Sequence, residues 1–194
     1  MELLEALYTK WLVIKPYTSV LSSQSIIAVA FLIALINSIR KALAQKEQLS
    51  NFITIACVCA NYLLTALLME YTIDYVQNNS SAASAQNVYI GFIIANALTL
   101  LIMYKVHVKL SYVFSPLFFA VVKLFIILSA FHLLLWVKLV VLNIQQSYPQ
   151  IHYIYSFMVL YISFALAISM IFPYILNTKL GRVLIFSLPR GNNV

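Results

Sequence analysis

PLFFAVVKLFIILSAFHLLLWVKLVVL, residues Pro116–Leu142, decides the fold of this chain. Lys123, His132 and Lys138 interrupt a predominantly apolar run of 27 residues. As an α-helix the run extends roughly 40 Å, enough to cross a hydrocarbon layer of about 30 Å. A strand reading fails, because the apolar residues are nearly continuous and a membrane barrel needs alternation. A helix also satisfies its own backbone hydrogen bonds, which hydrocarbon cannot do. Lys123 and Lys138 lie 15 residues apart, or about 22 Å along the axis. Each can extend towards its nearer headgroup layer, so the pair brackets a membrane core.

Four further runs repeat the pattern. They cover about Ser22–Ile39, Phe52–Tyr71, Val88–Tyr104 and Tyr153–Leu176. The expected fold class is therefore all-α: a single integral membrane domain of 194 residues with five transmembrane helices. Four spans remain if the first run lies flat. Composition agrees: 63% of residues are hydrophobic, 9% are charged, and mean hydropathy is +0.95. A water-soluble domain carries about 25% charged residues, and this chain cannot build such a surface.

Charge sets the expected orientation. The formal net charge is +7, from twelve Lys and Arg against five Asp and Glu. Eight basic residues fall in alternate connectors: Arg40, Lys41, Lys46, Lys105, Lys109, Lys179, Arg182 and Arg190. Lys10, Lys15 and Lys138 fall on the other side. Positive residues are retained in the cytoplasm during insertion, so the N-terminus is expected outside and the C-terminus inside. Thirteen tyrosines gather towards span ends as an aromatic belt. No basic reading helix or zinc-ligand spacing accompanies the charge, so no nucleic-acid partner is expected. The lipid bilayer is the primary partner.

The ends of the chain carry their own signals. In MELLEALYTKWLVIKP, Leu4, Leu7, Trp11 and Ile14 share one helical face while Glu2, Glu5 and Thr9 lie opposite. This predicts an interfacial amphipathic helix over residues 1–16, with a docking helix or an extended first span as alternatives. The two glutamates replace the basic start of a secretory signal, so no processing is expected. Residues 177–194 form a basic tail with interleaved apolar residues, suited to an anionic cytoplasmic leaflet. QNNSSAASAQN, between spans two and three, reads as a flexible exposed loop.

Polar groups within spans are the candidates for function, because hydrocarbon makes them costly. Glu70 and Asp74 stand i, i+4 at the end of span two and share a face. They read as interfacial residues, as an ion pair between Glu70 and Lys138, or as an acidic vestibule. His132 lies too deep to reach the surface and needs a hydrogen-bond partner; a proton relay or ligand contact is the functional alternative. Asn61 and Asn96 lie deepest in spans two and three and should bond across a helix interface. Ala30/Ala34 and Ala56/Ala60 supply small patches for close helix approach. His107 and His152 belong to opposite connectors on this reading, so no histidine cluster forms and no metal or cofactor is expected. Cys57 and Cys59 diverge on one helix and read as packing residues.

Among the spans no phosphate loop, nucleophile elbow or HExxH pattern occurs, and paired Gly or Pro interruptions of transporter helices are missing. The expected function is a non-enzymatic membrane module: a sensor, anchor or assembly or immunity subunit. It would act by self-association or through a membrane or cytoplasmic partner protein. An oligomeric ion channel or small transporter, with Glu70 and Asp74 at its mouth, is the alternative. Short connectors suggest a bacterial inner membrane.

Overall fold

The computed structural model describes residues 23–79, 86–111, 113–144 and 148–186, and every regular element among them is helical. Five helices are long and apolar enough to span a membrane. They are α1 (Ser23–Leu43), α2 (Leu49–Asn79), α3 (Val88–Leu110), α4 (Pro116–Trp136) and α5 (Pro149–Ile171). A π-helical turn, Val137–Val141, continues α4. A 3-10 turn, Pro173–Asn177, and the short α6, Lys179–Leu184, follow α5. The chain is thus an all-α polytopic bundle. The expected amphipathic helix over residues 1–16 lies outside the described residues, as does Arg190.

Local chemistry accounts for the boundaries. Ser115 caps α4: its Oγ accepts the Phe118 N–H at 3.2 Å, and Pro116 occupies the first turn, where a missing N–H costs nothing. Pro173 ends the last span sooner than expected. A proline has no N–H to bond back and disfavours helix at its predecessor, so α5 stops at Ile171 rather than near Leu176. Pro149 opens the same helix four residues before the expected Tyr153. Other boundaries also move. α2 runs on to Asn79, so Gln77–Asn79 are helical and not loop. α3 continues to Leu110, which carries Lys105, His107 and Lys109 into the helix.

The helices close a ring. α1 packs on α2, α2 on α3, α3 on α4, α4 on α5, and α5 returns to α1, with α2 also touching α4 across the middle. Ile55, Met103, Leu117, Val121, Leu124, Phe125 and Ile162 fill the centre and are almost wholly buried. Ala34, Ala120, Ala165 and Ala167 are buried as well, and their small side chains let backbones approach. Of the two alanine patches read from the sequence, Ala30/Ala34 is packed; Ala56 is half-buried and Ala60 exposed. Exposed Val29, Leu32, Leu98, Phe119 and Ile126 form the lipid-facing surface.

The ring has two distinct ends. The basic end holds the α1–α2 and α3–α4 connectors and the segment after α5. There Lys123, about 10 Å in from the start of α4, donates from Nζ to the Phe186 carbonyl at 2.7 Å. Tyr161 Oη donates to the Leu184 carbonyl at 3.0 Å, and its ring meets Phe186. These contacts pin α6 back onto the bundle. Gly181 is buried there, and a Cβ on it would collide with the Ile175 carbonyl. Only glycine permits that approach. The outward face of α6 exposes Leu180 and Val183 beside Lys179 and Arg182.

Candidate functional site

Three polar layers sit inside the bundle, at successive depths along α2, α3 and α4. The layer nearest the basic end centres on His107. Its ring is fully buried; Nδ1 lies 2.7 Å from the Met103 carbonyl, and Nε2 lies 3.0 Å from Ser50 Oγ and 3.4 Å from Thr54 Oγ1. A carbonyl only accepts, so Nδ1 carries a proton; Nε2 faces both the Ser50 hydroxyl and, at 3.1 Å, the Ser50 carbonyl. Ser50 Oγ also accepts the Ser115 N–H at 3.0 Å, while Thr54 donates to the Ser50 carbonyl at 2.8 Å. One imidazole therefore ties the start of α2 and the end of α3 to the cap of α4. Phe114 and Phe118 cover it, with ring centroids 5.7 and 4.7 Å away. His107 therefore does not belong to a connector: the helix continues past Lys105, and its inward face carries the histidine into the core.

The middle layer joins Asn61, Asn96, Thr99 and Ser129. Asn61 Nδ2 donates to Asn96 Oδ1 at 3.0 Å, Thr99 Oγ1 donates to Asn61 Oδ1 at 3.0 Å, and Asn96 Nδ2 donates to Ser129 Oγ at 3.2 Å. Both asparagines are buried. Each amide thus offers its oxygen and its NH2 to protein, which is what hydrocarbon demands. Asn61 and Asn96 were legible as a pair of polar intruders. Thr99, three residues after Asn96, and Ser129 were not singled out, although each shares a helical face with a candidate.

The third layer lies towards the opposite end. His132 is buried and its Nδ1 is 2.9 Å from Tyr155 Oη. Tyr89 and Phe92 flank the imidazole, and His152 stacks on Tyr155. Trp136 Nε1 donates to Asn87 Oδ1 at 3.3 Å. Tyr155 had been read only as a member of the aromatic belt; its hydroxyl is the partner that His132 required.

Between the first two layers the interior is apolar. Thr99 and His107 are eight residues apart, about 12 Å on one helix. By register Val58, Met103, Val121 and Leu124 occupy that interval, each 1% exposed or less.

The remaining candidates do not converge. Glu70 and Asp74 are exposed on the far half of α2, where no described residue beyond Asn61 is buried. The helix is 31 residues, about 46 Å, and its far end outruns the ring. Lys138 does not pair with Glu70. It is buried within the π-helical turn, and its Nζ donates to the Tyr148 carbonyl at 3.0 Å. Cys57 and Cys59 are unbridged, and Cys59 Sγ points at the Phe31 carbonyl, 3.6 Å away. Among the described residues no three His, Cys, Asp or Glu come together as a metal site.

Compared with known proteins, the chain matches no family model, no curated protein and no solved structure.

Proposed function

We propose that this protein is a non-enzymatic integral membrane module, acting through the surfaces it presents in and at the bilayer rather than by passing a solute. The apolar layer of Val58, Met103, Val121 and Leu124 carries the reading. It separates two polar knots whose hydrogen bonds are already used among themselves. A conduit needs polar groups left to exchange with an ion or water along its length. Glu70 and Asp74, exposed away from the ring centre, give no support to an inner vestibule.

Reconstituted into liposomes, the protein should pass protons and potassium no faster than lipid alone. Glu70→Gln and Asn61→Ala should leave that background unchanged. Flux above background that falls with Glu70→Gln would replace the module by a channel.

The basic end faces the cytoplasm in this reading, in a bacterial inner membrane, with the N-terminus outside. The eight basic residues at and beyond alternate helix ends along the sequence support that orientation. An impermeant maleimide on intact cells should label Ser84→Cys and spare Gln45→Cys; the reverse pattern would invert the topology. Contacts with a second copy or another protein then fall on the lipid-facing helices or on the basic end. Crosslinking in native membranes is the way to find them.

A further inference from the structure

Lys138 is 5% exposed, yet among the described residues its ammonium, with three N–H donors, meets one acceptor, the Tyr148 carbonyl. No carboxylate of the described residues pairs with it, since Glu70 and Asp74 are exposed on α2. An uncompensated buried charge is costly unless something outside the protein completes its coordination. Beside the lysine runs a groove of about 570 Å³, lined by Leu133, Leu134, Val137, Leu142 and Ile151. That size is within the roughly 300–1,000 Å³ of ordinary small-molecule sites. Two backbone irregularities build the place. The π-helical turn Val137–Val141 carries Lys138, and Tyr148 adopts left-handed geometry (φ 60°), a conformation uncommon for a bulky residue. Lys138 lies 22 residues beyond Pro116, about 33 Å along the helix, so it stands at headgroup depth opposite the basic end.

We infer that this groove is a lipid site: it takes an acyl chain of an anionic glycerophospholipid from the leaflet opposite the basic end, and the Lys138 ammonium donates to the headgroup phosphate. The apolar walls match a hydrocarbon chain, and the ammonium's N–H donors match phosphate oxygens. The net negative headgroup balances a charge that no carboxylate of the described residues meets. A phospholipid with its phosphate at the depth of Lys138 would lay a chain against Leu134 and Leu133, which line the groove one to two turns deeper.

Native mass spectrometry of the full chain, delipidated in detergent and titrated with palmitoyl-oleoyl phosphatidylglycerol, tests this. Phosphatidylcholine with the same chains and free palmitate serve as comparisons. Phosphatidylglycerol should bind in preference to both. Lys138→Met should weaken it about tenfold, the loss expected for one charge-assisted hydrogen bond. Lys123→Met, which alters a lysine at the basic end, should not. Leu134→Trp, at a position half-exposed to lipid, should fill the groove and weaken binding with Lys138 intact. Unchanged phosphatidylglycerol binding in Lys138→Met would overturn the site. So would equal binding of phosphatidylcholine, or palmitate displacing the phospholipid in a Lys138-dependent way. If Lys138→Met does not fold, Leu134→Trp decides alone: retained binding there would overturn the proposal.

Discussion

Replacing His107 with alanine should lower the stability of the bundle by about 3 kcal/mol, the sum of a large-to-small change in a packed site and the loss of buried hydrogen bonds. The effect is large because the imidazole is fully buried and shared by three helices. Without it, Ser50 and Thr54 lose their cross-helix partner, and a hole opens under Phe114 and Phe118. The Ser115 N–H depends on a Ser50 hydroxyl that the histidine orients, so the α3–α4 corner should loosen first. His107→Phe separates the two contributions. It keeps an aromatic ring between the two phenylalanines but strands the polar atoms, and about half the loss should remain. Unfolding in mixed micelles of mild detergent and dodecyl sulfate, followed by circular dichroism, measures both variants. If alanine and phenylalanine each fall within about 0.5 kcal/mol of the parent, the range of an ordinary surface substitution, His107 is not the tie described.

Asn61→Leu should cost about 1–3 kcal/mol in the same measurement, from two interhelical hydrogen bonds in hydrocarbon at roughly 0.6–1.7 kcal/mol each. Leucine has a similar size, so the loss reports mainly on bonding. Thr99 Oγ1 and Asn96 Oδ1 would be stranded where no water can reach them. Asn96→Leu should be comparable, since it removes the bond to Asn61 and the bond to Ser129. The pair should not add. Once both amides are gone, Thr99 and Ser129 can turn to carbonyls of their own helices, as Thr65 already does to Asn61 and Thr72 to Leu68. The double variant should therefore be about 1 kcal/mol better than the summed singles. Strict additivity would mean that the two asparagines do not hold α2 and α3 together.

These residues show where sequence reading succeeds and where it stops. Asn61 and Asn96 stand out because an amide inside an apolar run has no solvent, so a cross-helix bond is nearly obligatory. His132 stood out on the same grounds, and Tyr155 met it. His107 was hidden by its neighbours. Lys105 and Lys109 mark a span end, and a histidine between them looks like a headgroup residue. Its burial depends on α3 continuing to Leu110 and on the start of α2 lying against it. Lys138 misled for a related reason. Its depth suggested a snorkelling side chain or an ion pair with Glu70. The π-helical turn instead rotates it inward onto the Tyr148 carbonyl.

The sequence by itself determined an all-α polytopic bundle with five helices long and apolar enough to span a membrane and its basic residues gathered towards one side. Run length, continuity of apolar residues and placement of lysine and arginine are local quantities, and the bilayer converts them directly into helices and topology. Tertiary structure alone decided which polar residues share a layer, where the helices overrun their apolar runs, and how the last turn docks around Gly181. Those outcomes depend on the relative rotation and depth of separate helices. Lipid is as apolar as the helix surfaces, so hydrophobicity cannot set that rotation. It is fixed by hydrogen bonds and close packing between residues as distant in sequence as Ser50 and His107.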